Sequence, residues 1–204
     1  MSGRRLFVFV EGSDDERFFA RIIRPRLQAK YSSVELITYA CMKSAKVSKF
    51  VKGIRSMNHE YILVADIDRE KSVQDKKLVL LSRFDEIDEN RIVVIIKEIE
   101  SWYLAGLDEK AAHHLGLRYL GHTDFVTKEH FNSWIPRGYT SRISFMIECL
   151  RYFSISEAVT KNRSFRFFMG RYILEKERPD VAAANQESPG SEKVQKKYNP
   201  SQDT

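Results

Sequence analysis

The chain has 204 residues, 43% of them hydrophobic and 30% charged. That is the length of one domain, enough to bury about 70% of the unfolded surface without disulfides or metals. Thirty-four Lys and Arg against 28 Asp and Glu give a net charge of +6, which is compatible with a nucleic-acid partner without identifying one. The longest apolar runs, such as 91–97, fall far short of the ~20 residues of a membrane helix, and the N-terminus lacks the long apolar stretch of a signal peptide. The two cysteines, Cys41 and Cys149, form no CxxC pair, which excludes a cysteine zinc ribbon and a disulfide scaffold. The expectation is a reduced, cytoplasmic protein with both thiols buried as small apolar fillers.

In chain order, Leu6–Val10 is a run of β-formers, and its continuous apolar character predicts a strand buried on both faces. Glu11-Gly12 follows. Ser13 and Glu16 have the spacing of a capping box, so a helix is predicted next, with Phe18, Phe19, Ile22, Ile23 and Leu27 on its apolar stripe. Pro25 is expected to kink or shorten it. A second strand is predicted over Val34–Tyr39 and a basic helix over Ala45–Met57. A third strand spans Tyr61–Ala65 and ends in Asp66-Ile67-Asp68. A helix is predicted over Ser72–Ile87, with Leu78, Leu81 and Phe84 on its buried side, then a strand over Ile92–Ile96.

Strands alternating with helices imply parallel pairing and crossover helices. Beyond Trp102 the pattern turns helical, with candidates near Ser101–Leu107, Leu107–Leu115, Ser141–Phe153, Ser154–Val159 and Ser164–Lys176. Composition thus divides the chain into an α/β core over 1–106, a helical extension packed on it over 107–178, and a polar tail over 179–204 with too little apolar surface to order itself. No internal repeat is visible.

Open parallel sheets place their sites at the carboxyl ends of the strands. Here the first strand ends in Glu11, the third in Asp66 and Asp68, and the fourth near Glu98 and Glu100. Three strands therefore deliver acids to one edge, and Asp15, about one helical turn beyond Glu11, can face the same cleft. Clustered carboxylates stay ionised only beside a cation; otherwise one takes up a proton. Their hard oxygens select Mg²⁺, with Mn²⁺ or Ca²⁺ as alternatives to it. Period-2 spacing in an extended segment would put Asp66 and Asp68 on one side. Gly12 would permit a tight turn and leave room for a phosphate backbone.

Taken singly, each acid reads as a solvated loop residue or a helix cap; the agreement of three strand ends is what points to a site. Val8-Phe-Val-Glu-Gly-Ser13 with Asp15, followed by Leu63-Val-Ala-Asp-Ile-Asp68, resembles the Toprim domain of topoisomerases, bacterial primases, recombination mediators, OLD-family nucleases and small RNA-maturation nucleases. The resemblance covers about residues 4–105. Glu98-Ile-Glu-Ser-Trp-Tyr-Leu-Ala105 and Asn162-Arg-Ser-Phe-Arg-Phe-Phe168 are similar to segments of small stand-alone Toprim proteins, several linked to defence against phage.

The resemblance implies a Toprim, Rossmann-like fold with a mostly parallel sheet flanked by helices. It implies that Glu11, beside Gly12, is the general acid/base or a metal-associated equivalent, and that Asp66 and Asp68 bind Mg²⁺. Asp15 matches the downstream acid of OLD-like nucleases, and Glu98 and Glu100 are acids of the stand-alone group. The ion would neutralise phosphate and align the attacking oxygen.

Topoisomerase gates, cysteine zinc modules and a Gly-x-x-x-x-Gly-Lys-Ser/Thr phosphate loop are all missing from this sequence. What remains is a stand-alone Mg²⁺-dependent nuclease on DNA or RNA, or a Toprim subunit working with a separate ATPase or sensor. Nucleotidyl or phosphoryl transfer on the same site, a non-catalytic nucleic-acid-binding module and a nucleotide-sensing regulator are the alternatives. A homodimer is compatible with all of them.

Basic residues near the acidic edge fit a nucleic-acid substrate: Lys43 and Lys46 in a stripe that continues to Arg55, Arg69 and Lys71 after Asp68, Lys97 before Glu98, and Lys161, Arg163 and Arg166 among phenylalanines. These would contact phosphates. Phe165, Phe168 and Tyr172 have the spacing of core residues, and Trp102 reads equally as a core anchor. His113, His114 and His122 lack the i, i+4 spacing of a helical zinc pair.

Overall fold

The computed structural model describes residues 3–174, which form one compact unit. The expected tail over 179–204 lies outside the described residues. Strands β1 (Arg5–Val10), β2 (Ser33–Thr38), β3 (Glu60–Asp66) and β4 (Ile92–Ile95) make one sheet in the order β2-β1-β3-β4. All three pairings are parallel, with Phe9 opposite Ile37 and Leu63, and Asp66 opposite Ile95. The fold is α/β, as the alternating pattern predicts, and Rossmann-like, as the resemblance implies.

Helix α1 (Ser13–Phe18) runs through a π-helical turn (Phe19–Ile23) into α2 (Arg24–Leu27). Pro25 therefore does not end the helix. The preceding turn widens, and the Arg24 amide donates to the Phe19 carbonyl, so that Pro25, which has no amide hydrogen, enters in the first turn of α2, where none is needed. Helices α3 (Ser44–Ser56) and α4 (Val73–Arg83) follow β2 and β3. α4 stops at Phe84, whose backbone is extended, four residues short of the predicted end. Its buried side carries Leu80 and Phe84, whereas Leu78 is 55% exposed.

Past β4, α5 (Ile99–Ala105) is buried at every residue. It is followed by α6 (Glu109–His114), α7 (Lys128–Trp134), α8 (Arg142–Arg151), α9 (Ile155–Lys161) and α10 (Arg163–Phe168), the last running into a π-helical turn over Met169–Leu174. α7 has no counterpart among the predicted elements. Among the described residues, no helix is long and apolar enough to cross a membrane.

Alternation along the strands builds two cores. Leu6, Val8, Val10, Ile62 and Val64 face a cluster with Phe18, Trp102, Phe131, Phe145, Phe165 and Phe168, drawn from α1, α5, α7, α8 and α10. Phe9, Tyr61, Leu63 and Ala65 face α3 and α4 through Val47, Val51, Leu80 and Phe84. Residues on both sides of position 106 share the first cluster. Cys149 is buried, but Cys41 is exposed and is no core filler, because it sits in the turn between β2 and α3.

Candidate functional site

The sheet changes direction at its centre. From β1 the chain moves outward to β2 and then crosses back to β3, so the crevice between β1 and β3 is the topological switch point where ligands bind in such sheets. Glu11 leaves the end of β1, Asp66 is the last residue of β3, and Glu98 and Glu100 follow β4.

Asp15 is only 5% exposed. Its Oδ2 accepts a hydrogen bond from the Gly12 amide at 3.1 Å, and its Oδ1 is buried with no partner among the described residues. Asp15, not Glu16, is thus the acid that reaches back to the start of α1, and Ser13 is the first helical residue and not the cap. Gly12 itself is extended, with φ −144° and ψ −170°, which any residue adopts. The turn does not require glycine. Space beside its Cα is open, with Asp15 Oδ2 at 3.9 Å from an added Cβ as the nearest neighbour.

Burial pushes the Asp15 carboxyl up to about 7, and the nearby Glu11 and Glu100 charges add to this. Asp66 is raised well above the usual range by burial, then by Asp15, Glu11, Glu100 and Glu98. Its Oδ1, like that of Asp15, is buried without a partner. Glu11 is raised by burial against the opposing charge of Lys76, and its Oε1 accepts from the Tyr39 hydroxyl at 3.3 Å. Glu100 is 3% exposed and is also raised by burial, although Arg142 pulls it down. Five carboxylates, at or just after the ends of three strands, therefore interact, with Lys76 and Arg142 as the opposing charges.

Asp68 departs from expectation. β3 ends at Asp66, Ile67 is buried, and Asp68 takes a left-handed conformation with φ 52°. The segment is therefore not the continuous extended strand that a period of two assumes, yet both aspartates act on Glu11: the Asp68 charge raises its carboxyl and a backbone hydrogen bond at Asp66 lowers it. Asp68 is half-exposed and ion-paired with Lys76. Glu98 accepts from the Lys128 amide at the start of α7. Arg142 joins Asp14 and Glu100, and bonds from Arg142 and Arg17 hold Asp14 below the usual carboxylate range despite its burial.

Lys76, Tyr39, Asp14 and Arg142 are not among the residues that the sequence pattern points to. Tyr39 follows the last residue of β2, so the strand-end rule that finds Glu11 applies to it too. Lys76 and Arg142 carry no local signal, since they reach the acids only through tertiary packing.

The donor set suits a hard cation: all-oxygen ligands, with two buried oxygens lacking partners. Among the described residues the acids do not form a ready-made cage of three or more ligands. Carboxylates of like charge stand off from one another until a cation neutralises them.

The loop after β4 is held from a distance. The Ser164 hydroxyl accepts from the Ile96 amide at 3.1 Å and from Trp102 Nε1 at 2.9 Å, and donates to Asn162 Oδ1 at 2.7 Å. Asn162 Nδ2 donates to Ser101 Oγ and Thr123 Oγ1, both at 3.2 Å. This buried network is what the Asn162-Arg163-Ser164 segment does, and Trp102 is its apolar anchor.

Lys71, Lys97 and Arg163 line one open cavity of about 600 Å³ that runs beside Ile67, between the two aspartates. Arg163 also pairs with Asp124 at 2.9 Å. Arg69 is exposed on the adjoining turn, and Lys43 and Lys46 are exposed where α3 starts. Arg166 is exposed one turn beyond Arg163, outside that cavity. Lys161 does not join the basic flank expected of it: it is 4% exposed, bonded to the Leu107 carbonyl, and lines a different cavity. Phe165 and Phe168 are core and Phe167 is exposed.

No protein-family profile matches the chain, and no curated protein matches it. Among solved structures it is similar to the C-terminal region of the Burkholderia pseudomallei OLD protein, with 14% identity, 85% of this chain and 94% of that chain covered, and a TM-score of 0.37. It is also similar to the C-terminal region of the Xanthomonas campestris pv. campestris OLD protein, with 14% identity, 82% and 85% covered, and a TM-score of 0.36.

Proposed function

We propose that this chain is a divalent-cation-dependent nuclease of the Toprim type, hydrolysing phosphodiester bonds of DNA or RNA. One observation carries the reading. At the switch point between β1 and β3, buried carboxylates cluster, two of them with oxygens that lack a partner among the described residues, and an open cavity lined by Lys71, Lys97 and Arg163 reaches Ile67, the residue after Asp66. The acids suit a cation and the bases suit a phosphate chain.

Asp15 and Asp66 supply the oxygens for Mg²⁺, and Mn²⁺ substitutes on the same donors. When bound, the cation supplies charge neutralisation and alignment at the phosphate. Glu11 carries a raised proton affinity from its burial and is oriented by Tyr39, which equips it to take or give a proton at the scissile phosphate. Lys76 offsets Asp68 and sits near enough to Glu11 to lower its proton affinity. Arg142 fixes Glu100, and the Lys128 amide fixes Glu98. Strand phosphates lie along Lys71, Lys97 and Arg163.

The test is cleavage of labelled single- and double-stranded DNA and RNA in Mg²⁺, Mn²⁺ and EDTA. The expected result is cleavage that EDTA abolishes and that Glu11→Gln lowers by about 10²–10⁴-fold, with Asp66→Asn equally damaging. Strand extension or labelling in place of shortening would identify a transferase. Binding without any cleavage would identify a module that acts with a partner ATPase or sensor.

A further inference from the structure

A second cavity, of about 430 Å³, lies among α5, α6, α7, α9 and the segment 116–126. It uses none of the clustered acids. Leu104 and Leu117 are among its apolar walls, Phe125 and Trp134 give it flat aromatic ones, and its only charged lining residues are Arg118 and Lys161. No acid lines it. The volume is within the ~300–1,000 Å³ typical of small-ligand sites.

Lys161 is the unusual member. Its side chain is almost wholly buried, yet no carboxylate pairs with it among the described residues. Nζ donates to the Leu107 carbonyl and stands 4.5 Å from the centre of the Tyr119 ring. One carbonyl and one ring face leave donor capacity on an ammonium that has three N–H groups. The Glu157 and Asp108 charges act on it without forming an ion pair, and an anion that enters the cavity and bonds Nζ directly offsets the remaining cost of its burial. Arg118, exposed at the same cavity, adds a second positive charge. Phe125 is half-exposed, and Trp134 is stacked on His130 with ring centres 5.5 Å apart.

We infer that this cavity binds a small organic anion with a flat apolar body, its acidic head paired with Lys161 and Arg118 and its rings set against Phe125 and Trp134. The ligand class is an aromatic carboxylate, sulfonate or monophosphate. Phe125 also lines the cavity of Lys71, Lys97 and Arg163, but the site uses none of the clustered acids and stands or falls without the nuclease reading.

Two fluorescent probes test it on the full chain. 8-Anilinonaphthalene-1-sulfonate carries the anion; N-phenyl-1-naphthylamine has the same rings without it. The sulfonate is expected to saturate one site and to bind about tenfold more tightly than the amine, as one charge-assisted hydrogen bond implies. Lys161→Met is expected to erase that preference while amine binding stays unchanged. Arg118→Ala, at an exposed position, is expected to weaken the sulfonate selectively and keeps the test decisive if Lys161→Met does not fold. Leu117→Trp, which fills the cavity, is expected to block both probes. The inference is overturned if the folded chain binds neither probe, if both bind equally, if the sulfonate preference survives in the cation variants, or if binding survives in Leu117→Trp.

Discussion

Asp15 shows how one buried side chain ties the chemistry of the edge to the stability of the chain. Its carboxyl is raised to about 7, so the folded state favours the protonated form. For an acid raised in this way, the favourable contribution is complete below the ordinary carboxylate range near pH 4 and is lost as pH rises through about 7. Asp14, held low by Arg142 and Arg17, acts in the opposite sense and only below about pH 4, so the two windows do not overlap. The metal-free protein is therefore expected to lose thermal stability between pH 4 and 7. Asp15→Asn should raise its Tm at pH 8 and leave it unchanged at pH 4, since the amide oxygen can still accept from Gly12. Thermal melts across that range check this, and parallel curves for the two proteins would refute it. The positions of Glu11 and Asp66 are legible in the sequence because a strand end is a local feature; the left-handed backbone at Asp68 is not, because it depends on where the strand stops.

Helices and loops show where periodicity suffices and where it does not. The strands lie within a residue or two of their predicted limits, because continuous apolar runs of β-formers have few other uses. α7 has no apolar stripe; only Phe131 of its residues is buried, and its Thr127 cap is the one local mark. α4 is shorter than its pattern because Phe84 and Ile87 continue the apolar spacing past the helix end, although both are buried from extended or irregular backbone. At the end of α5, Gly106 carries no sequence signal at all. A Cβ there would stand 2.2 Å from the Phe153 ring, which is itself packed 5.2 Å from Phe18 and 5.8 Å from Phe165. That ring is partly buried and packed against two others, so Gly106→Ala should cost about 1–3 kcal/mol by overpacking and lower Tm by several degrees, read by calorimetry. Ser164→Ala should cost a comparable ~2 kcal/mol or more, because it strips the acceptor from the Ile96 amide and the Trp102 indole at once. A neutral result in denaturant melts would mean that this hydroxyl does not hold the loop.

For the molecule as a whole, the acids gather at the strand ends, and Lys71, Lys97 and Arg163 line a cavity that reaches Ile67, next to Asp66. On the nuclease reading, affinity for duplex DNA should fall steeply with salt. Replacing Lys71, Lys97 and Arg163 together by alanine should reduce the slope of log K against log salt by about 2–3, close to 0.9 for each phosphate that is no longer neutralised. An unchanged slope would take these residues out of the interface. Composition alone could not have placed that flank, since Lys71, Lys97 and Arg163 lie far apart in sequence and meet only when α10 docks beside β4. The same docking carries a consequence for synthesis. The loop bearing Glu98 and Glu100 is tied down by Asn162 and Ser164, which the ribosome makes more than sixty residues later. A nascent chain that has emerged only as far as β4 and its acidic loop owns every acid of the edge but not the residues that set that loop. On the proposed function, the growing polypeptide would thus be kept from attacking nucleic acid, its own message included, until that later segment has left the ribosome and closed over the sheet.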